Sequence, residues 1–314
     1  MTKTYPKIFD INAFAICFGI DADQMPDDCR ALINQSDFRY RVLEGKERDQ
    51  IVLTVLKRVD RQQVPVSGEN RLGDWEKGWG ENLQSFLENG KEEALTPKYI
   101  RPGLPLRFQG EFIEPADAKF EINWYIIYRH WLATTLLQGF DTIFEFGCGS
   151  GYNLPVLARL TDARRVIGLD WSLSSVKIAN RLGETTGLNI QGQFFNFFEP
   201  NFDLEVPANS VFVTIGALEQ TGNKFGAFLD FVIKKRPTLC VNVEPIVEFL
   251  DQENLVDYTA FRAEIARNYL SGYIEALKTM EQQGNASILN LVRSHFGSLM
   301  IEAFCQVIWR PNGP

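Results

Sequence analysis

Glycines stand at positions 147, 149 and 151, directly after the apolar run Thr142-Ile143-Phe144-Glu145-Phe146 and just ahead of a helical pattern over 153–160. A strand that ends on such a loop and turns into a helix belongs to an open α/β sheet. In such sheets the ligand crevice lies at the carboxyl ends of the strands. Glycine lets the backbone turn sharply there and brings its amides close to a ligand. The spacing is G-x-G-x-G. Tyr152 occupies the position where a dinucleotide fingerprint needs its third glycine, and no Gly-Lys-Ser/Thr follows. A nicotinamide site and a phosphate-cradling P-loop are therefore both disfavoured.

The pattern around the loop extends the sheet. Strand-like runs at 165–170, 190–195, 211–215 and 238–243 alternate with helical stretches such as 173–183, where Ser172 or Ser174 is a candidate cap. A helical block runs from Val247 to about Gln283, and two final strands, 287–293 and 303–309, are separated by a Gly297-Ser298 turn. Together these predict an α/β fold: a doubly wound, mostly parallel, seven-stranded Rossmann-like sheet with a C-terminal antiparallel strand. It spans residues 116–314, with a helical insertion at about 247–285. The helical pattern of 120–138 stops at Gly139. Residues 1–115 read as an N-terminal accessory region that covers the substrate. Within it, 50–59 is a helix or a buried strand, 64–68 and 73–80 are turn-rich, and four prolines between 96 and 115 predict an irregular connector.

Asp170 ends the second strand, 23 residues past Gly147. A carboxylate in that place accepts from both hydroxyls of a ribose and repels a 2′-phosphate. Asn196-Phe197, after the third strand, falls where an adenine edge would lie. This combination of Glu-Phe-Gly-Cys-Gly-Ser-Gly, second-strand acid, third-strand Asn196 and closing strand pair resembles the class I S-adenosylmethionine-dependent methyltransferases. The resemblance covers roughly 120–310. It implies S-adenosyl-L-methionine as cofactor, with Glu145 and the backbone of Gly147, Cys148, Gly149 and Gly151 at the methionine end. It also puts Asp170 on the ribose and Asn196 with Phe197 at adenine. Asn153, Trp171 and Gly216, at the edges of the same loops, complete the expected set. The family more often has Asp where Asn196 stands.

An activated methyl leaves the protein mainly to align an acceptor and exclude water, but a hydroxyl acceptor still needs a general base. Strand four leads into Gly216-Ala217-Leu218-Glu219-Gln220 and strand five ends at Glu244, so both glutamates are expected on the same rim as candidate bases. Histidine is the side chain suited to a base at neutral pH, which adds His295 and His130 as candidates. Tyr125 and Tyr128 are candidates for a cover over the cofactor, although helical spacing also suits a core role. Lys234-Lys235-Arg236 reads as a solvated helix end. No Asp-Pro-Pro-Tyr or Asn-Pro-Pro-Tyr follows strand four, which argues against methylation of a planar adenine or glutamine nitrogen.

The 40 acidic and 32 basic residues give a net charge of −8, which disfavours a nucleic-acid partner. No run approaches the roughly 18 apolar residues of a membrane span. Five scattered cysteines without a C-x-x-C pair point to reduced thiols in the cytoplasm, and two histidines argue against a metal site. The expectation is a methyltransferase for a small polar acceptor, foremost a hydroxyl on a sugar or other metabolite, with homo-oligomerisation left open. Two rivals are an adenosyl-binding module that methylates nothing and a nicotinamide-dependent oxidoreductase.

Overall fold

The computed structural model describes residues 3–313. Ahead of residue 116 lie four strands, β1 (Lys7–Ile8), β2 (Arg39–Val42), β3 (Leu106–Phe108) and β4 (Glu111–Pro115). With them are four helices, α1 (Ile11–Phe18), α2 (Asp27–Asn34), α3 (Gly45–Asp60) and α4 (Leu72–Asn89). Next come α5 (Phe120–Trp131), β5 (Thr142–Phe146), α6 (Leu154–Leu160), β6 (Arg165–Asp170), α7 (Leu173–Thr186), β7 (Ile190–Phe194), β8 (Ser210–Ile215), α8 (Gly226–Lys235) and β9 (Leu239–Glu244). The chain finishes with α9 (Leu255–Ala266), α10 (Tyr273–Gln282), β10 (Ala286–Val292), β11 (Phe296–Ser298) and β12 (Cys305–Pro311).

Seven strands form the main sheet in the order β10-β12-β9-β8-β5-β6-β7. The five strands from β9 to β7 are parallel, and β12 inserts antiparallel between β9 and β10. The chain starts at the centre with β5, moves outward to β7, then crosses to β8 on the other side. That reversal opens a crevice between the ends of β5 and β8, at the glycine loop. Alternation along β5 sends Ile143 into one core, with α5, α6 and α7, and Phe144 and Phe146 into the other, with Phe212, Phe228, Phe231 and Trp309. Both faces are therefore covered, as a parallel sheet requires.

The second sheet, β1-β2-β4-β3-β11, is antiparallel. Its fifth strand comes from the far end of the chain. Residues 296–298, expected as part of a turn, instead pair with β3, Phe296 opposite Phe108 and Ser298 opposite Leu106. Phe296 also stacks on Trp124 of α5, at 4.3 Å between ring centroids, so burial of an aromatic selects a strand where local sequence suggested a turn. Buried Arg107 of β3 reaches Asp257 of α9 and Glu302, and Arg293 joins both acids.

Other boundaries shift for local reasons. The proline-rich connector contains β3 and β4, with Pro115 at the last position of its strand, where a missing N–H is tolerated. Residues 50–59 fall within α3. The helix expected over 120–138 gives way after Trp131 to a wider turn, in which the Leu137 amide donates to the Leu132 carbonyl. The helical block beyond Val247 separates into α9 and α10: Asn254 Oδ1 caps α9 by accepting from the Val256 and Asp257 amides, and Gly272, at φ 80°, leads into α10.

Candidate functional site

The glycine loop has the conformation its composition demands. Gly147, Gly149 and Gly151 have φ of 71°, 54° and 71°, a region other residues adopt at a cost. A Cβ on Gly147 would sit 2.3 Å from that of Ala217, so the loops after β5 and β8 touch only because the side chain is absent. Cys148 between them is buried and turns inward, its Sγ 2.9 Å from where a Cβ on Gly168 would lie.

Two acids brace this loop. Asp170, at the end of β6, accepts from the Gly149 amide at 2.9 Å and from the Ser172 amide at 2.8 Å. Burial lifts its pKa to about 6 against those two bonds. Glu145, 1% exposed, accepts from Asn153 Nδ2 at 2.7 Å, and Asn153 Oδ1 in turn accepts from the Tyr125 hydroxyl at 2.8 Å. Its second oxygen has no partner, and burial pushes its pKa up to about 7. Tyr125 thus acts inside the core, holding Asn153. Tyr128 is also fully buried, so neither tyrosine forms a cover.

The cover comes from α4. The Gly73–Gly80 stretch, read in sequence as turns, lies inside this 18-residue helix, and its Trp75 and Trp79 stack at 5.5 Å. The Trp79 ring rests on the glycine loop, 2.9 Å from where a Cβ on Gly149 would be. Between them Glu76 accepts from the hydroxyls of Ser172 (2.7 Å) and Ser174 (2.6 Å) and from the Ser174 amide (3.3 Å), which fastens α4 to the first turn of α7. Ser172 also caps α7, accepting from the Ser175 amide. No motif marks these roof residues. An amphipathic reading that tolerated glycine would have put Trp75, Trp79, Asn82 and Phe86 on one helical face.

The resulting cavity, about 60 Å³, is lined by Gly147, Gly149, Asp170, Trp171, Phe197 and Gly216 from the expected set, and by the two roof tryptophans. Phe195, Phe198, Ala217, Gln220 and Thr221 complete it. Asn196 stands beside it with Oδ1 accepting from the Phe198 amide.

The candidate bases separate sharply. Glu244 is fully buried and its two oxygens are clasped by the amides of Ala217, Leu218 and Glu219. Glu219 is 6% exposed. It accepts from Gln220 Nε2 on one oxygen, and its carboxyl lies in hydrogen-bond contact with that of Glu244. Burial and the neighbouring Glu244 carboxylate push its pKa well above the ordinary carboxyl range. His295 lies elsewhere, at φ 53° before β11, its amide 3.3 Å from Glu302 Oε1. Burial and Arg293 lower its pKa. His130 pairs with Asp28 at 2.6 Å, with Cys29 alongside. Lys234 and Lys235 end α8.

The sheet order, with its terminal antiparallel strand and the glycine loop at the switch point, makes a mostly parallel, Rossmann-like seven-stranded sheet. Among solved structures the chain is similar to the N-methyltransferase NodS from Bradyrhizobium japonicum WM9 in complex with S-adenosyl-L-homocysteine, at 11% identity over 59% of this chain and 85% of that one, TM-score 0.44. It is similar to the cyclase SpnF at 15% identity over 80% and 98%, TM-score 0.47. It is also similar to a SAM-dependent methyltransferase from Aquifex aeolicus at 16% over 55% and 81%, TM-score 0.36. No protein-family model matches the chain. No curated protein matches it either.

Proposed function

We propose that this chain is an S-adenosyl-L-methionine-dependent methyltransferase acting on a small polar acceptor. The observation that carries the reading is the pairing of Asp170 with Glu145 around the glycine loop. Asp170 reaches the loop where a ribose would lie, and Glu145 keeps an unpartnered buried oxygen. A buried carboxylate without a cation is costly, and a ligand that brings an α-ammonium and a sulfonium relieves that cost. The cofactor would supply a methyl group already bonded to a cationic sulfur. Glu145 and the loop amides would hold its methionine end. Asp170 would accept from the ribose, and Trp171 with Phe197 would flank the base. A 2′-phosphate would face the same carboxylate, which disfavours NADP, and Tyr152 in place of a third glycine disfavours NAD.

The chain's own residues would then exclude water and place the acceptor. Trp75 and Trp79 roof the site, giving the N-terminal region a direct part in it as a cover. The sequence favoured a hydroxyl acceptor served by one of two glutamates. With Glu244 committed to loop amides, Glu219 would be the remaining candidate base beyond β8, its carboxyl buried against Glu244 next to the cavity-lining Gln220. Calorimetry with S-adenosyl-L-methionine, S-adenosyl-L-homocysteine and NAD tests the reading. Binding of the first two, weakened in Asp170→Ala, is expected. Binding of NAD alone would overturn it.

A further inference from the structure

Asp28 and Cys29, in the first turn of α2, meet His130, in the last turn of α5, where the two helices pack. Carboxylate, thiol and imidazole bring their ligand atoms within 4.8 Å of one another, a convergence that no other trio of His, Cys, Asp or Glu shows among the described residues. Asp28 Oδ2 lies 2.6 Å from His130 Nε2, while Oδ1 is fixed by the Cys29 amide at 2.8 Å. Cys29 is fully buried and forms the floor of the trio. The Asp28 and His130 side chains keep 49% and 20% of their surfaces open, so an ion can enter from the solvent side. An ion pair between Asp28 and His130 accounts for two of these groups and leaves the thiol without a part.

We propose that Asp28, Cys29 and His130 bind a zinc ion, with a water as the fourth ligand. The proposal is independent of the methyl-transfer reading. One histidine suffices here, because thiol and carboxylate supply the other donors. Tetrahedral zinc takes sulfur at about 2.3 Å and nitrogen or oxygen at about 2.0–2.2 Å, which sets its ligand atoms roughly 3.3–3.8 Å apart. Reaching that spacing opens the His130–Asp28 contact and closes the thiol by roughly 1 Å each, within the reach of side-chain rotation. Thiolate and carboxylate together carry two negative charges, which a dication neutralises while the imidazole stays neutral. Sulfur and imidazole ligands select zinc over magnesium or calcium, which take oxygen. Without metal, burial and the Asp28 carboxylate push the thiol up to about 12, so Cys29 is protonated at neutral pH. On binding, the S–H bond breaks, its proton passes to solvent, and the electron pair left on sulfur forms the bond to zinc. The same α5 carries Tyr125, whose hydroxyl holds Asn153 beside the glycine loop. Zinc would thus pin the helix behind the cofactor site to the N-terminal region.

The test is a metal titration. The full chain, stripped with a chelator and returned to metal-free buffer near neutral pH, is titrated with Co²⁺ as a coloured substitute and then with Zn²⁺. Uptake of about one cobalt per chain is expected, with a thiolate-to-cobalt charge-transfer band in the near ultraviolet and the intense visible bands of a tetrahedral ion, all erased by zinc. Cys29→Ser should remove the charge-transfer band. His130→Gln, at a partly open position, should weaken cobalt binding by at least about tenfold. Circular dichroism checks that both variants are folded, and if the buried Cys29→Ser is not, His130→Gln decides. No saturable cobalt uptake, uptake without the charge-transfer band, or binding unchanged in His130→Gln overturns the zinc assignment and leaves Asp28 and His130 as an ion pair beside a core cysteine.

Discussion

Replacing Glu76 by Ala should speed cofactor entry, because the roof of the site has to lift before anything of adenosyl size can enter. The cavity measures about 60 Å³, against roughly 300–1,000 Å³ for pockets that hold ligands of that scale. Glu76 fastens the roof through three contacts, two of them hydroxyl bonds of 2.6 and 2.7 Å. Despite partial burial, the Ser174 and Ser172 bonds hold its pKa below the usual range, so it is ionised at neutral pH. Hydrogen bonds to a charged group contribute about 1.5–3 kcal/mol, and we assign that to the whole set because α4 is partly exposed. If only the open form admits ligand, the apparent association rate scales with its population. Losing the latch should then raise that rate by about ten- to a hundredfold. Stopped-flow tryptophan fluorescence with S-adenosyl-L-homocysteine reads this directly, since Trp75, Trp79 and Trp171 line the cavity. An association rate equal to that of the unmodified protein would refute the idea that a closed roof limits entry.

Four further outcomes are expected. Asp170→Ala should weaken cofactor affinity by about 1.5–3 kcal/mol, measured by calorimetry, and an unchanged affinity would remove Asp170 from the site. Glu219→Gln should lower turnover while leaving cofactor affinity nearly intact, and equal turnover would free this carboxyl of any role in transfer. The pKa values of Asp170 and Glu145, raised to about 6 and about 7, make the ligand-free fold bind protons more tightly than the unfolded chain. The stability these groups lend is therefore complete below pH 4 and lost as pH rises towards 7, by roughly 2–3 kcal/mol each. The thermal shift produced by the cationic cofactor should grow over the same interval, and a shift independent of pH would contradict the assignment. Gly78→Ala, at a helical position where a Cβ meets nothing within 4 Å, should stabilise the protein by about 0.5–1 kcal/mol in urea titration.

The parts of the site that were legible in sequence are those governed by short-range rules. A strand, three alternating glycines and an acid at the next strand end have fixed separations, so Gly147, Gly149, Asp170 and Trp171 could be placed together without coordinates. The roof was not legible, because Gly73, Gly78 and Gly80 lower helix propensity and resemble punctuation. What holds α4 helical is tertiary: its contact with α7 through Glu76 and with the buried residues around Asn82, which donates to the Ala94 carbonyl. Glu219 and Glu244 appeared equivalent for a related reason. Sequence gives their strand ends, but only the path of the Ala217–Glu219 backbone decides which carboxylate the amides enclose. The strand at 296–298 escaped detection because its partner is almost 190 positions away.

That last pairing has a bearing on biosynthesis. A nascent chain with residues 1–115 already outside the ribosome holds an unfinished small sheet, with the open edge of β3 exposed until residues 296–298 emerge. The roof helix is therefore made well before the region it belongs to can be completed by residues 296–298. A fragment cut at the soft boundary near residue 115 would leave each half missing a neighbour: one with an unpaired β3 edge, the other with a stranded Phe296. Neither half is expected to behave as an independent protein.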